Sequence, residues 1–159
     1  MIFKEMDYNG KGKSEIICFK EFDDGTALAV INVRGSHPCC YIQFPEINKV
    51  QNYEDLILYD KETDDYWDVH YGFTFLGGLK HFGLEGEWIG WDYAHSGDWT
   101  QSMPVEKDAF NHDGEKKWTT KELLDECLEA LQFIRKGKYE IDNYEEKLLE
   151  FEREMGEEP

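Results

Sequence analysis

The sequence predicts an α+β domain: a mainly antiparallel sheet from the N-terminal two-thirds, covered by one or two C-terminal helices. Three observations predict it. β-rich runs crowd the first 93 residues, and helical periodicity begins only after residue 119. The one early connection of hairpin length, Asp23-Asp24-Gly25, joins two of the β-rich runs. A single late helix cannot serve as crossover for every strand, which argues against a doubly wound parallel sheet.

The elements follow in order. Ser14 to Phe22 (SEIICFKEF) and Thr26 to Arg34 (TALAVINVR) read as the two arms of that hairpin. Cys39 to Phe44 (CCYIQF) is a third strand, set off by Gly35-Ser36-His37-Pro38 before it and Pro45 after it. Glu46 to Asp65 is polar and weakly periodic. Seven acids against one Lys between Glu54 and Asp68 suggest a solvated excursion. Trp67 to Leu76 (WDVHYGFTFL) and Glu87 to Tyr93 (EWIGWDY) are aromatic-rich strands linked by a glycine-punctuated connection, and Ala94 to Lys117 reads as loop. Thr119-Thr120-Lys121-Glu122 fits a capping box. Leu123, Leu124, Cys127, Leu128, Leu131 and Ile134 form an apolar stripe at three-to-four spacing that Gly137 ends. A second helix is predicted from about Asp142 to Met155, with Ile141, Tyr144, Leu148, Phe151 and Met155 on a narrow apolar stripe. The expected organisation is one domain over residues 1–136, with an acidic C-terminal helix over 137–159, docked or protruding.

Composition restricts the function. Seventeen basic residues face thirty-five acidic ones, for a net charge of −18. That balance disfavours direct nucleic-acid binding and anionic membrane surfaces, which need clustered Lys and Arg. It leaves simple solubility, or a cationic partner steered by the field. The candidate partner-binding residues are Glu145, Glu146 and Glu150 on the second helix, with Asp64 and Asp65 in the acidic stretch. No apolar run approaches the ~20 residues of a membrane span. The N-terminus has no basic-then-apolar signal pattern, so a cytoplasmic location is expected. Cys18, Cys39, Cys40 and Cys127 form no CxxC pair and read as reduced structural thiols. All five Trp lie between residues 67 and 118, mostly as core. Exposed members can stack on a single nucleobase or on a partner's Arg.

Reactive side chains concentrate in two segments. On a strand, Asp68, His70, Gly72 and Thr74 share one face, opposite Val69, Tyr71, Phe73 and Phe75. Asp92 ends the next strand, and His95 and Asp98 lie in the turn beyond it. If the strands are neighbours, Asp68, His70, Asp92, His95 and Asp98 converge on one polar pocket. Two imidazoles with carboxylates can hold a divalent metal, or work metal-free as an acid/base pair. They can equally form a structural polar network, since Asp and Ser-Gly-Asp are ordinary turn formers. There is no GxSxG, no phosphate-cradling glycine loop and no HExxH. No catalytic residue is assigned, no metal or cofactor is expected, and binding is favoured over catalysis.

The segments His37-Pro38-Cys39-Cys40-Tyr41-Ile42, Val69-His70-Tyr71-Gly72-Phe73-Thr74-Phe75 and Trp88-Ile89-Gly90-Trp91-Asp92-Tyr93-Ala94-His95-Ser96-Gly97-Asp98 resemble those of a family of small uncharacterised proteins of bacteriophages and prophages of Gram-positive bacteria. The helix opening Thr119-Thr120-Lys121-Glu122 and continuing through Glu126-Cys127 looks like that family's C-terminal helix. The likeness spans roughly His37 to Ile134. Tyr71 departs from it, standing where the family has a second Gly. The resemblance implies a phage setting and no particular activity. Together with size and charge it points to an acidic accessory protein, an anti-CRISPR-like inhibitor that binds a basic nucleic-acid-handling host protein such as a CRISPR effector nuclease, as monomer or dimer. The alternative is a small hydrolase or nucleotide-binding protein using the His/Asp pocket.

Overall fold

A computed structural model describes residues 1–157, with the backbone alone for Tyr144, Glu145 and Glu157. The elements are β1 (Ile2–Phe3), β2 (Glu15–Glu21), β3 (Ala27–Val33), β4 (His37–Gln43), β5 (Leu56–Asp60), β6 (Asp65–Trp67), β7 (Phe75–Leu79), β8 (Leu84–Asp92), α1 (Thr120–Arg135), β9 (Tyr139–Ile141) and α2 (Tyr144–Glu157). They form the predicted α+β fold. An antiparallel six-stranded sheet runs in the order β1-β2-β3-β4-β8-β7, beside a three-stranded sheet β6-β5-β9.

β3 lies inside the larger sheet and is buried on both faces, which its continuous apolar run Ala27 to Ile31 permits. Alternation then sorts its residues. Leu28 and Val30 face α1 together with Cys40, Ile42, Ile89 and Trp91. Ala27, Ala29 and Ile31 join Leu79, Leu84 and Trp88 in a smaller cluster on the opposite face. Helix α1 opens on the expected capping box, with the Thr119 hydroxyl taking the Glu122 amide and the Glu122 carboxylate returning to the Thr119 amide. Its buried stripe includes Leu123, Cys127, Leu131 and Ile134. Burying the Leu and Ile side chains contributes roughly 2 kcal/mol each. Gly137 follows at φ 67°, the left-handed stop that its lack of a Cβ allows.

Three sequence expectations need correction. The stretch Glu46 to Asp65 is not simply solvated, because β5 crosses it and buries Leu56 and Leu58. Its acids occupy the turn and the outer positions. Trp67 to Leu76 is not one strand. β6 stops at Trp67, a turn closed by Gly72 N–H donating to Val69 O (2.8 Å) intervenes, and β7 starts at Phe75. Tyr71 and Gly72 take φ of 58° and 81° there, which no strand accommodates. The C-terminal region does not leave the domain at residue 137. Residues 139–141 form β9 on β5, with Leu56 opposite Ile141 and Leu58 opposite Tyr139. The Tyr139 ring meets Phe44 edge to face at 5.6 Å. The separable part therefore begins after Asp142.

α2 differs from α1. Every described side chain from Glu146 to Gly156 is exposed, including Leu148, Leu149, Phe151 and Met155. Of the two helices, α1 covers the sheet. No helix among the described residues is long and apolar enough to cross a membrane.

This arrangement separates two truncations. A chain ending at Asp142 should unfold cooperatively with a melting temperature within a few degrees of the parent. A chain ending at Gly137 loses β9 with the half-buried Tyr139 and Ile141, and should be destabilised by roughly 2–3 kcal/mol. Near-UV circular dichroism melts of the two make the comparison. Identical curves would show that β9 contributes nothing to the body.

Candidate functional site

The site is assembled around one carboxylate. β8 ends at Asp92, and the chain turns through Ala94 to Gly97. The Asp98 amide donates back to His95 O (2.9 Å), and Gly97 takes φ 90°. Lys116 N–H then donates to Gly97 O (2.8 Å) and Trp99 N–H to Lys116 O (2.9 Å). That pairing brings Trp118 alongside. Asp98 is 3% exposed and accepts from three donors: His70 Nε2 (2.8 Å to Oδ2, 3.0 Å to Oδ1), Trp118 Nε1 (2.9 Å) and the His95 amide (3.1 Å). An ionised carboxylate only accepts, so Nε2 of His70 carries the proton.

His70 is held from other sides as well. Its ring stacks on Tyr93 (4.5 Å, 9°) and meets Trp118 and Tyr71 edge to face at 5.2 and 4.8 Å. Its amide donates to Glu126 Oε1 (2.5 Å), whose Oε2 accepts from Tyr93 OH (2.7 Å). Tyr93 OH in turn accepts from Trp91 Nε1 (3.1 Å). Burial, helped by the neighbouring Cys40 and Glu126, pushes the Tyr93 phenol far above its ordinary range and keeps it a donor. Tyr71, 59% exposed, lies flat on His95 (4.3 Å, 7°) and donates from its hydroxyl to Ser96 O (2.9 Å).

The structure brings together His70, His95 and Asp98, with Asp92 at the rim. Asp92 Oδ1 lies 3.1 Å from His95 Nε2 but out of hydrogen-bonding alignment, and that nitrogen makes no hydrogen bond. Asp92 is engaged instead by the Ala94 amide (3.1 Å) and the Thr74 hydroxyl (3.2 Å). Asp68 does not join them. With no strand through residues 68–74 there is no common face, and the turn carries Asp68 to a cavity on the β5 side. Its carboxylate accepts from the Val69 amide (3.0 Å), and partial burial raises its pKa above the ordinary value. Among the described residues, no three His, Cys, Asp or Glu side chains meet with the spacing of a metal site. The free thiols are shielded: burial pushes Cys39 up to about 12 and Cys18 up to about 11, far from reactive thiolates.

The partner-binding candidates are spread out. Asp64 and Asp65 are exposed at the β5–β6 turn, where the Tyr59 hydroxyl donates to Asp64 (2.5 Å). Glu146 accepts from Gln51 Nε2 (2.9 Å), and Glu150 is exposed. The Glu145 side chain lies outside the described residues. β9 runs antiparallel to β5, so α2 starts near Asp55, at the end of β5 opposite the Asp64 turn.

Sequence reasoning missed Glu126, Trp118 and the cluster around His112. Glu126 carried a signal, a carboxylate three residues after Leu123 on the inner side of α1. His112 is 8% exposed, with Nε2 2.8 Å from Asp108 and Nδ1 2.6 Å from Glu115. Its ring stacks on Trp99 at 3.8 Å. Gln101 Nε2 also donates to Asp108 (2.8 Å). Two carboxylates on both ring nitrogens require the doubly protonated imidazolium. Burial opposes that charge, but the bonds to Asp108 and Glu115 outweigh it, and the His112 pKa is raised.

Comparison with protein-family models, with curated proteins and with solved structures finds no match for this chain.

Two outcomes are expected. His70→Ala leaves Asp98 short of a donor in a buried place and should destabilise by ~1–3 kcal/mol, whereas His95→Ala removes a ring whose side chain is 28% exposed and whose Nε2 makes no hydrogen bond, and should cost under about 1 kcal/mol. Equal, negligible shifts in thermal melts would mean the His70–Asp98 pair is not structural. For His112, a raised folded-state pKa stabilises fully below the unfolded value of about 6.5, and the contribution is lost as pH climbs through the folded value. Amide protection of residues 99–117, corrected for intrinsic exchange, should therefore fall as pH rises from about 6.5 through the raised folded-state value. In His112→Gln that pH dependence should vanish.

Proposed function

We propose that this chain works by binding, as an acidic accessory protein that docks on a basic, nucleic-acid-handling protein. In the phage setting implied by the sequence resemblance, it acts as an anti-defence inhibitor, and a CRISPR effector nuclease is the kind of partner it fits. The observation that carries this reading is α2. The helix holds six Glu against one Lys and one Arg. Leu148, Phe151 and Met155 fall on one side, while Glu146, Glu150 and Glu154 recur every four residues on the other. Gln51 meets Glu146 on the polar side, so the apolar stripe is turned away from that contact. A 14-residue helix gains little from propensity alone and normally depends on packing of its apolar face. Such a face, bordered by carboxylates, suits a partner surface that pairs an apolar groove with Lys and Arg.

The hydrolase or nucleotide-binding alternative has one observation in its favour, the His70–Asp98 pair. Around that pair Glu126, Trp118 and Tyr71 are already hydrogen-bonded within the fold.

Association with a purified basic effector nuclease should weaken markedly from low salt to about 0.15 M, where exposed charges are screened over about 8 Å. Glu146→Lys with Glu150→Lys should slow association several-fold and change dissociation little. Surface plasmon resonance gives both rates. Binding indifferent to salt and to these reversals would overturn the reading.

A further inference from the structure

The turn that carries His70 also walls a second space. Across from it, the start of β5 bounds a cavity of about 380 Å³. Tyr53, Tyr66, Trp67 and Phe73 line it, together with the carboxylates Glu54 and Asp68. Its volume lies at the low end of the range for small-ligand sites, roughly 300–1,000 Å³. No Lys, Arg or His is among its lining residues, and neither Glu54 nor Asp68 makes an ion pair among the described residues. Two of the rings are braced from outside: Trp67 stacks on Phe133 (5.6 Å, 8°) and Tyr66 on Tyr59 (4.4 Å, 27°). Gly72, at φ 81°, lines the same cavity beside Asp68.

We infer that this cavity receives the guanidinium of an arginine side chain presented by the partner. The inference rests on the binding reading above and names the group that one of its contacts recognises. Aromatic walls with two uncompensated carboxylates complement a cation that is flat and weakly hydrated. A guanidinium stacks on rings and bonds carboxylates through its fork, whereas an ammonium is compact and strongly hydrated. A phosphate or nucleotide would meet two carboxylates and no counter-charge. Asp68 is already partly desolvated, so its pairing with a cation gives up less hydration than a fully solvated carboxylate would.

The test uses the intact chain and a probe that carries no partner surface. Gly-Arg-Gly, Gly-Lys-Gly and Gly-citrulline-Gly are titrated while the Trp67 indole N–H is followed by NMR, assigned with Trp67→Phe. The arginine peptide should shift it saturably, the lysine peptide should bind more weakly, and the uncharged citrulline peptide should bind on the order of tenfold more weakly than arginine. Asp68→Asn and Glu54→Gln should each weaken the arginine peptide several-fold with melting unchanged. The Glu54 variant keeps the test intact if the Asp68 variant misfolds. A linear, unsaturated response, citrulline binding as well as arginine, or indifference to both substitutions would overturn the assignment. Loss of salt-dependent association with a basic protein, while tripeptide binding persists, would instead overturn the α2 docking reading and leave this site standing.

Discussion

Burying one carboxylate organises this half of the molecule. Asp98 sits at 3% exposure, and an ionised group removed from water that far must find donors within the fold. It finds them on three separate stretches: the 68–73 turn through His70, its own turn through the His95 amide, and the approach to α1 through Trp118. None of the three is a regular element. Their positions relative to one another are set by this convergence, and Glu126 adds a tie from α1 to the same turn. A loop region of twenty-odd residues with little secondary structure is thereby attached to the core at its start and its end. Its middle is attached by the same device in a second version, His112 between Asp108 and Glu115. In both places a histidine joins a carboxylate to aromatic packing.

What the sequence made legible follows the range of the interactions involved. α1 was readable to within a residue, because its cap, its stripe and its stop are all local. β2, β3 and β4 were readable because each is apolar enough to be a strand whatever its partner. β5, β6 and β9 were not. They are three to five residues long and hold one acid each; β5 and β6 pair locally, with Asp60 opposite Asp65, but β5 reaches β9 across more than eighty positions, which no local signal announces. The site followed the same rule. His70, Asp92, His95 and Asp98 were identified as a constellation from residue type and proximity. The grouping of Asp68 with them assumed a strand through residues 68–74, and Tyr71 at φ 58° carries no local mark that would have warned against it.

The charge of −18 is likewise not spread without consequence. Eight Lys or Arg side chains make ion pairs with carboxylates among the described residues. Most of these pairs are exposed and contribute little to stability. The excess of carboxylates generates a field whose self-repulsion opposes compaction. A chain that keeps such an excess, and places part of it along a helix whose apolar stripe is exposed, carries features that folding alone does not require.

The 68–73 turn shows how environment assigns different work to the same side chain. On one side of it Asp98 is buried, accepts three hydrogen bonds and has little left to offer a ligand. On the other side, Asp68 accepts one backbone hydrogen bond, has no ion-pair partner among the described residues and lines a cavity with aromatic walls. The first satisfies the fold's own donors. The second is an acceptor whose electrostatic complement the described residues around it do not supply. In this turn, charge beside open space and without an ion-pair partner among the described residues is found at Asp68, whereas the His70–Asp98 pair is satisfied within the fold.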